Sequence, residues 1–328
     1  MFHLTGKISL KCNAHLRKAI LPMPAIPALS ATAFSNRRLV FLHIPKTAGS
    51  TLWHILRRQY TPQALFRTDE NALAPVLTPQ QWNQTRVLLG HFAYGIKVDW
   101  REPPVYITVL RDPQERLLSH YGHAARDLKN FLKIRSLSDF EGPLTLNDYL
   151  SIAVSDVDNG QTRMLAGPEA MALPLGQCDQ DVFELAKRNL LENIVLTGLT
   201  ERFDESLLLL QGMFGWNLPC YISENVGTIR PRREAVPPET LQRISELTRW
   251  DRELYSLAND RLDERIAEVG SSFDMSLRRF RRANVRYAWM KSLVASGPLR
   301  VMKSQLPLKR QMALETVVRR LLGRARNQ

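Results

Sequence analysis

Four short apolar runs, at residues 39–44, 87–90, 105–110 and 194–198, carry no polar alternation. A strand with one face in water alternates apolar and polar residues. A strand covered on both faces does not, and parallel sheets packed between helices supply that environment. Helix-forming stretches separate and follow these runs, at 50–59, 113–132, 146–155, 179–191, 202–213 and 238–269, the last with a break near Trp250 and Asp251. Asp112 before Pro113 is a helix cap followed by a first-turn proline, and Pro237-Pro238 marks another helix start. The alternation predicts an α/β domain, a parallel sheet with helices on both faces. No internal repeat interrupts it.

The first run ends in Pro45-Lys46-Thr47-Ala48-Gly49-Ser50-Thr51 and continues into a helix. A helix N-terminus offers unpaired N–H groups and a positive dipole end. Small residues let an anion approach, the hydroxyls of Thr47, Ser50 and Thr51 add donors, and Lys46 adds a compact charge. A phosphate cradle is the functional reading; an ordinary turn with a solvated lysine is the bland one. The Walker pattern G-x-x-x-x-G-K-[ST] is absent, because Lys46 precedes the small residues.

The third run ends in Arg111, ahead of the helix that starts at Pro113. An arginine at the C-terminal end of a parallel strand points into the crevice where open α/β sheets bind ligands, and it can grip a phosphate with two parallel hydrogen bonds. Arg116 and Ser119 share one face of the following helix. Taken singly, a salt bridge accounts for Arg111 and helix packing for Ser119.

The formal charge of +13 lies at the ends of the 328-residue chain. Residues 1–38 hold six basic residues and no acid; residues 275–328 hold fourteen and only Glu315; the body between carries −6. A mildly acidic body argues against nucleic acid as a partner. Residues 1–37 read as a basic, disordered leader, with a targeting peptide as the alternative. The domain is expected at 38–274, followed by a basic helical tail at 275–328. There Arg278, Arg279, Arg281, Arg282 and Arg286 interleave with Phe280, Tyr287 and Trp289. Such a tail suits a peripheral membrane or polyanion contact, or a solvated or oligomer-packing helix. Cys12, Cys178 and Cys220 are too far apart for a zinc motif, and no metal is expected. The expected compartment is the cytoplasm, with the targeted leader as the alternative.

"HIPKTAGST" (43–51) and "LRDPQERLLSHY" (110–121) together resemble the 5′-phosphosulfate and 3′-phosphate motifs of sulfotransferases that use 3′-phosphoadenosine 5′-phosphosulfate (PAPS). The nearer resemblance is to the carbohydrate group that includes heparan and uronyl 2-O-sulfotransferases. It extends through "LLGHFAYG" (88–95), "NGQTRMLAG" (159–167), "LTGLTERFDESLLLL" (196–210) and "NVGTIRPRR" (225–233), roughly residues 38–270. It implies a P-loop-like parallel sheet, PAPS as donor with PAP as product, and a carbohydrate acceptor: a polysaccharide, glycolipid or glycosylated metabolite. Ala48-Gly49-Ser50-Thr51 departs from the family's simpler Ala-Ser run, which leaves open the hydroxyl that meets the phosphate.

By this resemblance Lys46, Thr47, Ala48, Gly49, Ser50 and Thr51 hold the 5′-phosphate end, Arg111 and Ser119 the 3′-phosphate, and His91 matches the catalytic base. Histidine suits proton removal near neutral pH. His43, His54, His120 and His123 compete for that role, and Asp112 and Glu115 are further candidates. Arg230, in a basic loop with Asn225, Thr228, Arg232 and Arg233, is the choice for a second 3′-phosphate contact. Arg163 either lines the acceptor cleft or serves a structural salt bridge. The alternatives to a sulfotransferase are a P-loop kinase or NTPase and a non-catalytic polyanion-binding protein.

Overall fold

The structure is a computed structural model and describes residues 33–68, 77–134, 142–152, 154–222 and 230–295. Most of the expected leader and residues 296–328 of the tail lie outside it. Five strands form one parallel sheet: β1 (Leu39–Leu42), β2 (Leu65–Thr68), β3 (Val87–Gly90), β4 (Val105–Leu110) and β5 (Ile194–Leu199), in the order β2-β3-β1-β4-β5. Leu39 of the central strand aligns with Val87 on one side and Val105 on the other. All four residues of β1 are fully buried, as a run without alternation requires. The unforeseen strand, β2, is a four-residue edge strand whose first three residues are only partly covered. So short and half-exposed a segment carries no periodic signal.

The helices are α1 (Gly49–Gln59), α2 (Pro79–Gln84), α3 (Pro113–Arg126), α4 (Leu128–Ile134), α5 (Leu146–Ser151), α6 (Gly160–Ala166), α7 (Pro168–Ala172), α8 (Gln180–Arg188), α9 (Phe203–Phe214), α10 (Pro238–Leu247), α11 (Arg249–Val269) and α12 (Ser272–Ala295). The helix expected over 113–132 divides at Asp127, and the one expected over 146–155 stops at Ser151. The break expected near Trp250 and Asp251 falls at Thr248 instead. Its cause is distant in sequence: Asn159 Oδ1 accepts from Trp250 N at 2.7 Å and Asp251 N at 3.2 Å, and so caps α11 from ninety residues away.

The main core lies between the sheet and helices α1, α9, α11 and α12. A second cluster, with Leu117, Leu118, Tyr149 and Ile244, fastens α3, α5 and α10 together. The boundary drawn at 274/275 lands inside α12, whose Phe273, Leu277 and Phe280 are buried in the main core. Each such side chain contributes roughly 1.5–3 kcal/mol through burial. Arg281 pairs with Asp204 at 3.1 Å, and Asn284 Oδ1 accepts from Tyr221 N at 2.6 Å. Residues 277–287 of the expected tail thus pack with the domain.

Candidate active site

Strand order reverses at β1: the chain moves to one side for β2 and β3, then to the other for β4. Loops leaving the C-terminal ends of β1 and β4 therefore border one crevice, the place where such sheets bind ligands. The β1 loop has two non-glycine residues in the left-handed region, Lys46 (φ 72°) and Ala48 (φ 63°). Each costs on the order of 1 kcal/mol, strain of the kind that anion-holding nests contain. Thr47, fully buried, donates its hydroxyl proton to Ile44 O at 2.8 Å and so braces the loop from within. Ser50 is half-buried and Thr51 nearly covered, in the first turn of α1. Ala48 stands at the cap position and supplies no side-chain hydrogen bond to that turn. The first N–H groups of α1 are left for a ligand.

Cations converge on this loop. The Lys46 ammonium is pulled down to about 8, first by burial, then by the charge of Arg126 and that of Arg111. Arg126, the last residue of α3, is near enough for its charge to act on Lys46, a neighbour the sequence did not reveal. Arg111 Nη1 donates to Lys46 O at 3.1 Å, which ties the two crevice loops together. Its Nε is buried with no hydrogen-bond partner among the described residues. Glu115 Oε2 lies 3.9 Å from Arg111 Nη2 and Glu201 Oε1 lies 3.9 Å from Nε, beyond hydrogen-bond reach. Burial and the neighbouring Arg230 lower the Arg111 pKa.

Arg230 joins the group through Glu115, with which it forms an ion pair. Its backbone crosses α3 at Gly122, where a Cβ would stand 3.1 Å from Arg230 Cα; a side chain there would push the segment away. Ser119, half-buried, lies three residues earlier on the same face of α3. The structure thus brings Lys46, Arg111 and Arg230 together, with Ser119 on the face of α3 that Arg230 crosses. Asn225 and Thr228 lie outside the described residues. Arg232 and Arg233 are exposed.

His91 follows β3. Its Nδ1 lies 2.8 Å from His43 O, and a carbonyl can only accept, so Nδ1 carries the proton and the lone pair falls on Nε2. The His43 ring stacks beside it, centroids 4.2 Å apart. Burial holds His43 well below the ordinary histidine pKa, aided by the charge of His91. Gly49 makes room for that ring: a Cβ at Gly49 would lie 1.7 Å from His43 Nε2. One contact chain therefore links the anion loop to His91 through His43. Among the competing histidines, His120 is buried with Nδ1 2.6 Å from Tyr149 OH, and His54 and His123 are exposed on helices. Asp112 caps α3 by accepting from Glu115 N at 2.9 Å, and Glu115 is paired with Arg230.

Arg163 does not line a cleft. It is fully buried, and all five of its N–H groups are used: two on the Asp158 carbonyl and carboxylate, three on the carbonyls of Ala170, Leu173 and Pro174. Asp251, also fully buried, accepts from Gln161 N at 3.2 Å and from Thr162 N and Oγ1 at 2.7 and 2.9 Å, with Arg116 Nη2 3.9 Å away. This buried polar knot underlies the Arg111 side of the crevice.

No family model matches the chain. Among curated proteins it is 28% identical over 271 residues to the heparan-sulfate 6-O-sulfotransferase 2 of Danio rerio, a match covering 68% of this chain and 57% of that protein. It is 27% identical over 277 residues to the human heparan-sulfate 6-O-sulfotransferase 1, covering 69% and 66%. It is 25% identical over 256 residues to the heparan sulfate 2-O-sulfotransferase of Caenorhabditis elegans, covering 73% and 76%. The chain thus spans less than two thirds of the length of the two 6-O relatives it matches. The motif resemblance points to 2-O members, whereas the matched relatives are of both kinds, so similarity does not separate the two positions. Similarity to heparan-sulfate 6-O- and 2-O-sulfotransferases, together with a parallel α/β sheet that carries the crevice, supports the carbohydrate sulfotransferase group for this chain.

Proposed function

We propose that the protein transfers a sulfuryl group from PAPS to a hydroxyl of a carbohydrate acceptor. The observation that carries this reading is the convergence of Lys46, Arg111 and His91 at the C-terminal ends of the neighbouring strands β1, β4 and β3. Two features fit a nucleotide with phosphates at both ends. Lys46 is crowded by like charge that an anion would relieve, and the buried Arg111 Nε has no hydrogen-bond partner among the described residues. PAPS, when bound, supplies a sulfuryl group already attached to a good leaving group, its 5′-phosphate.

Lys46, the backbone of Thr47, Ala48 and Gly49, and the hydroxyls of Ser50 and Thr51 would hold the 5′ end. Arg111, Ser119 and Arg230 would hold the 3′-phosphate, with Glu115 giving up its pairing as the anion arrives. In the transfer, His91 Nε2 would take the proton of the acceptor hydroxyl, and Lys46 would stand against the charge left on the departing 5′-phosphate. The His43 carbonyl holds the imidazole in the required tautomer and stabilises its charged form, and the His43 side chain stays neutral beside it. Transfer needs positioning and charge stabilisation more than covalent chemistry by the protein.

Calorimetry with PAP, ADP and ATP tests the donor: preference for PAP supports it, and preference for ATP would return the kinase reading. His91→Ala, assayed for sulfate transfer from labelled PAPS to desulfated heparan oligosaccharides, is expected to lose about 100- to 10,000-fold in rate. PAP affinity should stay within about twofold, a change of under 0.5 kcal/mol. A near-normal rate would remove His91 from the reaction.

A further inference from the structure

We propose that Gln161 is the positioning residue of the anion grip: it sets the aim of Arg111 by clamping that residue's main chain. The inference rests on Arg111 holding the 3′-phosphate. The Gln161 side chain is fully buried and makes a closed pair with one peptide segment. Its Oε1 accepts from Arg111 N at 3.0 Å, and its Nε2 donates to Arg111 O at 2.9 Å. This is the pattern a neighbouring β-strand would offer, delivered by a side chain at the point where β4 has ended and no strand hydrogen bond remains.

The clamp has its own anchor. Gln161 N and Thr162 N donate to the two oxygens of Asp251, and Thr162 Oγ1 adds a third bond, so α6 cannot turn about its first residues. Arg116, on the helix that begins just after Arg111, faces the same carboxylate at 3.9 Å and donates to Asp156 O. Arg111 is therefore held from the main chain by Gln161 and from the helix behind it by Arg116. Its side chain has one direct hydrogen bond among the described residues, to Lys46 O. A guanidinium with few ties of its own takes its direction from its backbone. Loss of the two Gln161 bonds leaves buried Arg111 N and O groups to find other partners, and the Arg111 backbone shifts to reach them.

The test compares adenosine 3′,5′-bisphosphate with adenosine 5′-phosphate, which lacks the 3′-phosphate, on wild type, Arg111→Ala, Gln161→Met, Gln161→Asn and the double variant Arg111→Ala/Gln161→Met. Met matches the shape of Gln without its hydrogen bonds; Asn keeps the amide but is one methylene too short to pair both groups. Both single Gln161 variants are expected to lower the preference for the bisphosphate by about tenfold, the size of one to two ordinary hydrogen bonds. Affinity for the monophosphate should stay within about twofold. The double variant should show no further drop in preference than Arg111→Ala alone, because both substitutions break the same grip. A preference retained in whichever Gln161 variant folds, or additive losses in the double variant, would overturn the inference while leaving the role of Arg111 intact. A wild type with no preference, or an Arg111→Ala that keeps it, would overturn both.

Discussion

Arg111, just past the end of β4, and Arg163, in the middle of α6, look alike in sequence, each an arginine beside an apolar segment. Arg163 has every N–H group occupied, an ion pair with Asp158 and no exposed surface. Arg111 has a buried Nε with no hydrogen-bond partner among the described residues, two carboxylates at ion-pair distance but beyond hydrogen-bond reach, and other cations crowding it. The first environment is complete, and nothing can be added to it without taking something away. The second leaves donor capacity that the proposed anion would use. An arginine's type and neighbours along the chain do not separate these cases; its count of satisfied donors does.

The comparison breaks most readily at Arg163. Arg163→Ala removes the cationic partner of the buried Asp158 carboxylate and the donors to the four carbonyls of Asp158, Ala170, Leu173 and Pro174, so a destabilisation of about 3–5 kcal/mol is expected, read as a fall in melting temperature with every ligand affected alike. If instead the variant melts normally and loses only acceptor turnover, Arg163 belongs to the acceptor cleft after all. Arg111→Ala should do the reverse: little change in melting and a loss of one to two orders of magnitude in PAP affinity, from one or two charge-assisted bonds of about 1.5–3 kcal/mol each. Equal loss for PAP and adenosine 5′-phosphosulfate would class Arg111 with Arg163.

Two smaller effects sharpen the contrast through pH. Lys46 is lowered to about 8 in the ligand-free protein. Below that pH it is charged and attracts anions; PAP affinity should therefore fall as pH rises through 8. Removing one of the charges that depress it, as in Arg126→Ala, should move the midpoint upward, and isothermal titration from pH 7 to 9 would read the shift. A midpoint that stays in place would mean that Arg126 does not act on Lys46. His43 works in the other direction. Its folded pKa is depressed by burial, so between that value and about 6.5 the unfolded chain binds more protons than the folded one. Stability should therefore decline as pH falls below about 6.5, and His43→Gln should flatten that slope in denaturant titrations.

The smallest effect concerns α12 and the chain beyond it. Cutting after Asp274 removes Leu277 and Phe280 from the core and should lower melting outright. Cutting after Ala295 leaves those contacts in place and removes eight basic residues and Glu315. PAP affinity and melting should then be unchanged, while the salt dependence of turnover on a polymeric acceptor flattens as long-range attraction is lost. Unchanged salt dependence would end the polyanion reading of the tail.

The sheet was legible because its strands are covered on both faces and announce it with uninterrupted apolar runs. Only β2 escaped, too short and too exposed to do so. The crevice residues were legible where a motif joins them to a strand end, as with Lys46, Arg111 and His91. The features that stayed hidden depend on contacts across long stretches of chain. The Asn159 cap on α11 moved a helix break by a few residues. Gly49 reads as one more small residue in an anion loop, yet its lack of a side chain is what admits the His43 ring beside His91. Gln161 sits fifty residues from the main chain it clamps, and no periodicity connects them.

The Asp251 carboxylate also bears on the order in which the molecule is made. β1 needs Val87 and Val105 before it has neighbours on both sides, and the Arg111 peptide needs Gln161. Gln161 in turn needs Asp251. A nascent chain emerging from the ribosome can therefore pair its first four strands well before the grip is locked. Fragments ending short of residue 251 hold the strands and the loop but not the carboxylate that fixes α6. The Gln161 clamp on the Arg111 main chain can therefore be completed only after most of the polypeptide has been synthesised.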